Sequence, residues 1–389
     1  MKISSEYIPH LRFKDKNGKD YPEWEKIRLG ELITHKSIRN KNGEINRLLT
    51  VSNLHGFIEQ SEYFNNHRIA SRDTLNYKIV ERGDFAYNPS RINVGSIANL
   101  TEFDIGIISP MYIVFRCSNN LNENFLKHIL KTHYFQHLIK TGTLGSVRDS
   151  LDFSTLADFK LKIPCIEEQE KIADFFDTVN NKLNLLEQQK YQFEQYKKGL
   201  MQQIFNKKIR FKDGGGYNYP NWQTYRLKEL LTYEQPTRYI TTCKQYCEKG
   251  SMPILTAGKT FILGYTNESD NRFTKLPVVI FDDFTTSKQF VNFEFKVKSS
   301  AMKILKFNKN IRPKVIYELL TQIQYKPRGH KRHWISEYQY LQISIPAIKE
   351  QERIEQVLNI LDKIASIAKT NIIYWKLYKK GLMQRLFIQ

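Results

Sequence analysis

Asp283, followed by Glu294-Phe-Lys296, has the loose Asp, Glu-x-Lys spacing of a metal-dependent nuclease. In that chemistry two carboxylates hold Mg2+ and the lysine stabilises developing charge. Spacing this loose arises often by chance. Pro253-Ile-Leu-Thr-Ala-Gly-Lys-Thr260 looks like a phosphate-cradling loop, but Pro stands where the first Gly is required and the segment reads as strand and turn. Tyr87-Asn-Pro-Ser90 lacks the second Pro and the aromatic of the Asn-Pro-Pro-Tyr motif that serves methyl transfer to amino groups, and no glycine-rich fingerprint precedes it. Cys243 and Cys247 have no second ligand pair nearby, so a zinc site is not built. No nucleophile elbow occurs. The residues therefore read as those of a binding protein without its own catalysis, with no metal and no cofactor held by this chain.

What remains is polar, cationic loop chemistry suited to phosphates and base edges. In the first half these candidates are Arg39, Lys41 and Asn42 in one loop, Asn53 and His55 beside Ser52 in another, and Ser90, Arg91 and Asn93 after Pro89. Thr143, Ser146 and Arg148 fall in a Gly-containing run, where glycine would let backbone approach a phosphate. In the second half they are Thr256 and Lys259, then Thr285, Thr286 and Lys288. Last comes the densest cluster: Lys326, Arg328, His330, Lys331, Arg332 and His333. Arg can bond guanine bidentately, Asn can bond adenine, and Lys or Ser mostly hold phosphate.

Composition agrees. Among 389 residues, 60 Lys+Arg against 40 Asp+Glu give a net charge of +20, which attracts a polyanion from a distance. Nucleic acid fits better than a membrane surface, because the basic residues are scattered rather than gathered on one amphipathic face. With 41% hydrophobic residues there is ample material for several cores. Four irregularly spaced cysteines and no apolar N-terminal run point to a reducing cytoplasm.

The elements that must position these loops come in pairs. RFKD begins at Arg12 and again at Arg210, and YPEWEKIRLGEL at Tyr21 answers YPNWQTYRLKEL at Tyr219, both at an offset of 198. IPCIEEQEKI from Ile163 matches IPAIKEQERI from Ile345, and QYKKGLMQQIF from Gln195 matches LYKKGLMQRLF from Leu377, at an offset of 182. Between these anchors the copies barely match. A shared frame thus carries two divergent inserts, the second shorter by 16 residues.

After each Ile-Pro a helix is expected, with Glu early in it. Alternating steps of four and three from Ile172 give Phe176, Val179, Leu183, Leu186, Lys190, Phe193, Lys197, Leu200 and Ile204. From Ile354 they give Leu358, Leu361, Ala365, Ala368, Ile372, Trp375, Lys379, Leu382 and Leu386. A stripe sustained over five heptads is a coiled-coil pattern, and roughly 39 residues would make a rod of about 58 Å. If the stripes pair, connectivity makes the helices antiparallel, with a pseudo-two-fold axis between them and a globular domain at either end. The same apolar positions and the basic helix ends are expected to pack the helices and dock partners.

Short runs at 47–51, 84–87, 106–108 and 112–115 read as strands, with one helix at 124–140. Runs at 253–256, 278–282, 293–297 and 302–307, with a helix at 313–323, occupy the second insert. The fold class is α+β: two globular mixed α/β domains separated by two long antiparallel coiled-coil helices, an internal repeat. The expected boundaries are 1–20 for an N-terminal extension, 21–164 for domain one, 165–208 for the first spacer helix, 209–346 for domain two and 347–389 for the second spacer helix.

Divergent basic domains alternating with like helices, each announced by Ile-Pro-x-Ile-x-Glu-Gln-Glu and closing on Tyr-Lys-Lys-Gly-Leu-Met-Gln, resemble the specificity subunit of a Type I restriction-modification system. The resemblance covers almost the whole chain. It implies two target-recognition domains, each reading one half of a split, non-palindromic DNA site from the major groove. It also implies helices that dock two modification subunits carrying S-adenosylmethionine, and restriction subunits in the full complex. It transfers no contact residues, since the recognition domains are the divergent part. Two rivals are a self-sufficient metal-dependent nuclease built on Asp283, and a basic coiled-coil scaffold for RNA or acidic proteins.

Overall fold

A computed structural model describes residues 9–63, 74–143, 150–257, 260–308, 310–327 and 332–387. The chain packs as two units: residues 1–187 with 371–389, and residues 188–370. Two long helices, Ile166–Phe205 and Ile348–Leu386, each contribute one half to either unit.

In the first unit, strand Glu25–Arg28 pairs antiparallel with Lys160–Ile163, so the chain enters and leaves the domain side by side. Between them lie two four-stranded sheets. One has the order Ile33–Lys36, Ile113–Cys117, Asp84–Tyr87, Ile97–Asn99. The other has Gly56–Glu59, Leu48–Ser52, Ile105–Ile108, Lys78–Glu81, and only its Leu48–Ser52 and Ile105–Ile108 pair is parallel. The expected helix at 124–140 is two helices, Glu123–Ile129 and His133–Thr143. Thr132 separates them because its hydroxyl accepts the Phe135 N–H and donates to the Ile129 carbonyl, capping a new helix start.

The second unit repeats the plan. Gln223–Arg226 pairs with Gln342–Ile345, a four-stranded sheet runs Leu231–Glu234, Met302–Phe307, Val278–Asp282, Lys288–Val291, and helix Pro313–Gln322 follows. Its second sheet has three strands, Ile262–Thr266, Met252–Leu255 and Lys296–Val297. The expected strand at 293–297 is thus reduced to two residues.

Each unit holds two hydrophobic cores. The core beside the helices joins Trp24, Phe125 and Phe176 with Leu382, Leu386 and Phe387 in the first unit. In the second it joins Trp222, Ile316 and Trp334 with Met201, Ile204, Ile354 and Leu358. The distal cores lie between the paired sheets, around Phe57 and Val114 and around Phe273 and Phe295.

The repeated motifs meet at one place in each unit. Arg12 donates to both oxygens of Glu168, whose Oε2 also accepts from the Trp24 indole at 3.2 Å. Arg210, Glu350 and Trp222 reproduce this triad, with the indole bond at 3.0 Å. Gln169 accepts the Asn122 N–H and donates to the Pro164 carbonyl; Gln351 accepts the Arg312 N–H and donates to the Pro346 carbonyl. A fully buried carboxylate has to be paired and hydrogen-bonded, which accounts for residues scattered over more than 150 positions recurring as a set.

The helix segments are antiparallel within each unit. In the first, Phe176 stacks on Phe387, Asn180 accepts from Lys379 and Glu187 pairs with Lys376. In the second, Lys197 pairs with Asp362. The stripe is buried at Ile172, Phe176, Val179, Leu183, Ile354, Leu358, Leu361, Ile372, Leu382 and Leu386. It is half-buried at Leu186, Phe193, Leu200 and Trp375. These residues pack the helices. Among the described residues no helix is long and apolar enough to cross a membrane.

Candidate nucleic-acid interface

In each unit a loop with contact chemistry follows an inner strand of a four-stranded sheet. In the first unit, strand Asp84–Tyr87 ends in an Asx turn, with the Ser90 N–H donating to Asn88 Oδ1 at 3.1 Å. Gly95 closes the turn at φ 92°, a conformation a Cβ would oppose, and the Ser96 N–H returns to the Arg91 carbonyl. Ser90, Arg91 and Asn93 are all exposed on it. The Ser96 hydroxyl reaches the Val51 carbonyl, which sets the exposed Asn53 and His55 turn beside this one. The Leu151 N–H donates to the Pro89 carbonyl at 3.1 Å.

The second unit does the same with different residues. Strand Val278–Asp282 ends in an Asx turn in which the Phe284 N–H donates to Asp282 Oδ1 at 2.9 Å. The His333 N–H donates to the Asp283 carbonyl at 3.1 Å, the counterpart of the Leu151 to Pro89 bond. Thr285, Lys326 and Arg332 are exposed here. Phe284, 48% exposed at the turn, offers an apolar or stacking contact that a search for polar residues passes over; an aromatic lodged between Asp283 and Thr285 was the available signal.

Several candidates lie elsewhere. Arg39, Lys41 and Asn42 are exposed on a turn held by the buried Asn40, whose N–H donates to the Tyr77 carbonyl. Thr256 is half-buried where a hairpin closes on Phe261. Ser146, Arg148, Lys259, Arg328, His330 and Lys331 lie outside the described residues.

Four candidates turn inward and are corrected here. Thr143 is buried, its hydroxyl donating to the Lys140 carbonyl. Thr286 is buried at positive φ, its N–H on the Asp282 carbonyl. His333 is fully buried against Tyr325. Lys288 donates to the Leu320 carbonyl at 2.9 Å, and burial lowers its pKa to about 8. Each has a structural partner where the sequence offered only a polar residue type.

The nuclease set does not assemble. Asp283 is buried, with Oδ1 on the Trp334 N–H and Oδ2 3.5 Å from Lys303. Glu294 pairs with Arg272, and the buried Lys296 with Glu268. Among the described residues no three His, Cys, Asp or Glu side chains are grouped to hold a metal ion.

A second surface was missed. Ile360, Ile364, Ile367, Tyr374 and Tyr378 on the second long helix are exposed, Ile360 at 60% and Tyr374 at 62%. Their spacing of three, four or seven residues marks a second apolar stripe beside the buried one, and was legible as such. Exposed apolar residues in a row are the mark of a protein contact.

Residues 21–195 match the Type I restriction modification DNA specificity domain. A Type I restriction enzyme specificity subunit of Escherichia coli is 44% identical over 151 residues, 36% of this chain and 37% of that protein. The Type I restriction enzyme MjaVIII specificity subunit of Methanocaldococcus jannaschii is 24% identical over 261 residues, 64% of this chain. The matched segments thus span 37% and 59% of the lengths of these relatives. The Type I restriction-modification system S subunit from M. genitalium shares the fold at a TM-score of 0.57, with 13% identity, over 97% of this chain and 98% of that one. In the specificity-domain match, the E. coli relative and the doubled arrangement of domain and helix, the chain is similar to Type I restriction-modification specificity subunits.

Proposed function

We propose that this chain is the sequence-reading subunit of a Type I restriction-modification complex and performs no catalysis itself. One observation carries the reading: the turns after Tyr87 and after Phe281 are held by matching Asx-turn and backbone hydrogen bonds, yet present unrelated side chains. Like frames with unlike contact residues are what a reader of two different half-sites needs. Ser90, Arg91, Asn93, Asn53 and His55 are the contacts proposed for one half-site, and Thr285, Phe284, Lys326 and Arg332 for the other. The exposed Ile360, Ile364 and Ile367 of the second unit are the proposed seat for methyltransferase subunits, which would carry S-adenosylmethionine and act on adenine. Restriction subunits would join that assembly.

The test is a domain exchange. Residues 21–162 are replaced by the corresponding segment of another family member, and methylated sites are mapped in cells that also express the modification subunits. One half of the recognised sequence should change while the other stays. A change in both halves, or in neither, would refute the modular reading.

A further inference from the structure

The internal repeat provides a control for every charge in the frame. Lys197 and Lys379 occupy the same place in the two helices, at an offset of 182. In the second unit Lys197 meets two carboxylates, Asp362 at 2.5 Å and Glu318 at 3.8 Å. In the first unit the position of Asp362 is taken by Asn180, which accepts from Lys379 as an uncharged amide. The position of Glu318, six residues after Arg312 bonds Gln351, is taken by His128, six after Asn122 bonds Gln169.

Around Lys379 further cations accumulate. A cavity of about 220 Å³ is lined by Lys131, His133, Lys376, Lys379 and Lys380, with no acidic residue in its lining. The second unit has Thr321, Ile323 and Glu194 where Lys131, His133 and Lys376 stand. Lys376 is held by Glu187 at 2.7 Å, while Lys131 and Lys380 have no ion pair among the described residues. Asp177 lies near, 3.4 Å from the His128 imidazole, but does not line the cavity. The first unit therefore keeps the lysines of its twin, lacks the two carboxylates that neutralise Lys197 and adds cations.

We propose that this cavity receives an Asp or Glu side chain from a protein partner, replacing the carboxylates that the second unit supplies from its own chain. A DNA phosphate fits less well. The cavity lies at the His133 end of helix His133–Thr143, and the exposed turn residues Ser90, Arg91 and Asn93 are not in its lining. The inference stands whether or not the turns read DNA.

The experiment uses the full chain and two fluorescent probes at fixed salt, a hexaglutamate peptide and a DNA duplex. Asn180→Asp gives Lys379 the carboxylate that Lys197 has, and K131A with K380A removes the unpaired cations. Both variants should bind the peptide about tenfold more weakly and the duplex as the parent does. Lys198→Ala, the equivalent of K380A in the second unit, should leave peptide binding unchanged. Peptide affinity untouched by both first-unit variants would overturn the proposal. So would duplex affinity falling in step with peptide affinity, which would make the cavity a phosphate site.

Discussion

Glu168 and Glu350 show how a single buried charge can hold an architecture together. Each is fully buried and engaged by an arginine and an indole, so removing the carboxylate strands a cation that has little other solvation. Glu168→Ala should destabilise the chain by about 3–5 kcal/mol in urea titrations, the range for breaking a buried pair by deleting one partner. Glu350→Ala should cost less, because Arg210 is 23% exposed against 11% for Arg12 and recovers more water. His128 makes a pH-dependent contribution. Burial lowers its pKa from 6.5 to about 4, outweighing the pull of Asp177, so the folded state holds the neutral ring. The unfolded chain binds this proton first as pH falls, so the contribution is complete above pH 6.5 and lost towards pH 4. Stability measured from pH 7 to 4 should fall less steeply in His128→Gln than in the parent.

At the scale of elements, the break at Thr132 directs the chain in a way the apolar pattern did not reveal. Hydrophobic residues continue through 124–140, and periodicity alone reads one helix. The competing signal was Thr132 three residues before Phe135, a side-chain cap that starts a second helix. Thr132→Ala should lower stability by about 1 kcal/mol, measured by denaturant unfolding. The long helices were legible because their pattern persists for five heptads, and even their interruptions find use: Lys197 and Lys379 each bond across to the other helix. The proposed docking face was harder to identify, since a helix with two adjacent apolar stripes does not announce which one the protein keeps for itself. Ile364→Asp, at a position 43% exposed, should abolish co-purification with the modification subunits while leaving the unfolding midpoint of the isolated chain nearly unchanged.

For the whole molecule, a net charge of +20 implies binding that weakens with salt. The logarithm of affinity for duplex DNA should fall linearly with the logarithm of salt concentration, at a slope of about 0.9 per neutralised phosphate. Arg91→Ala should weaken binding, and if it reads a guanine it should relax choice at one base position by about 1–3 kcal/mol in competition assays. The turns after Tyr87 and Phe281 rest on the same cores as the helices, through Tyr87, Ile92 and Leu151 in the first unit and Phe281 and Trp334 in the second.

The amino-acid sequence by itself determined the doubling, the two helices and the motifs of the frame. These rest on local periodicity and on residues that recur together because they form one buried network. Tertiary structure alone decided which loop residues face outwards. Arg91 and His333 are equally polar as residue types, but one sits on an open turn and the other under Tyr325, and only the folding of distant segments onto each other distinguishes them. It also decided that Asp283 answers a backbone N–H and Lys303, and that Lys379 bonds an amide where Lys197 meets two carboxylates. Burial and pairing are properties of neighbours brought together from far along the chain, which spacing along the sequence does not encode.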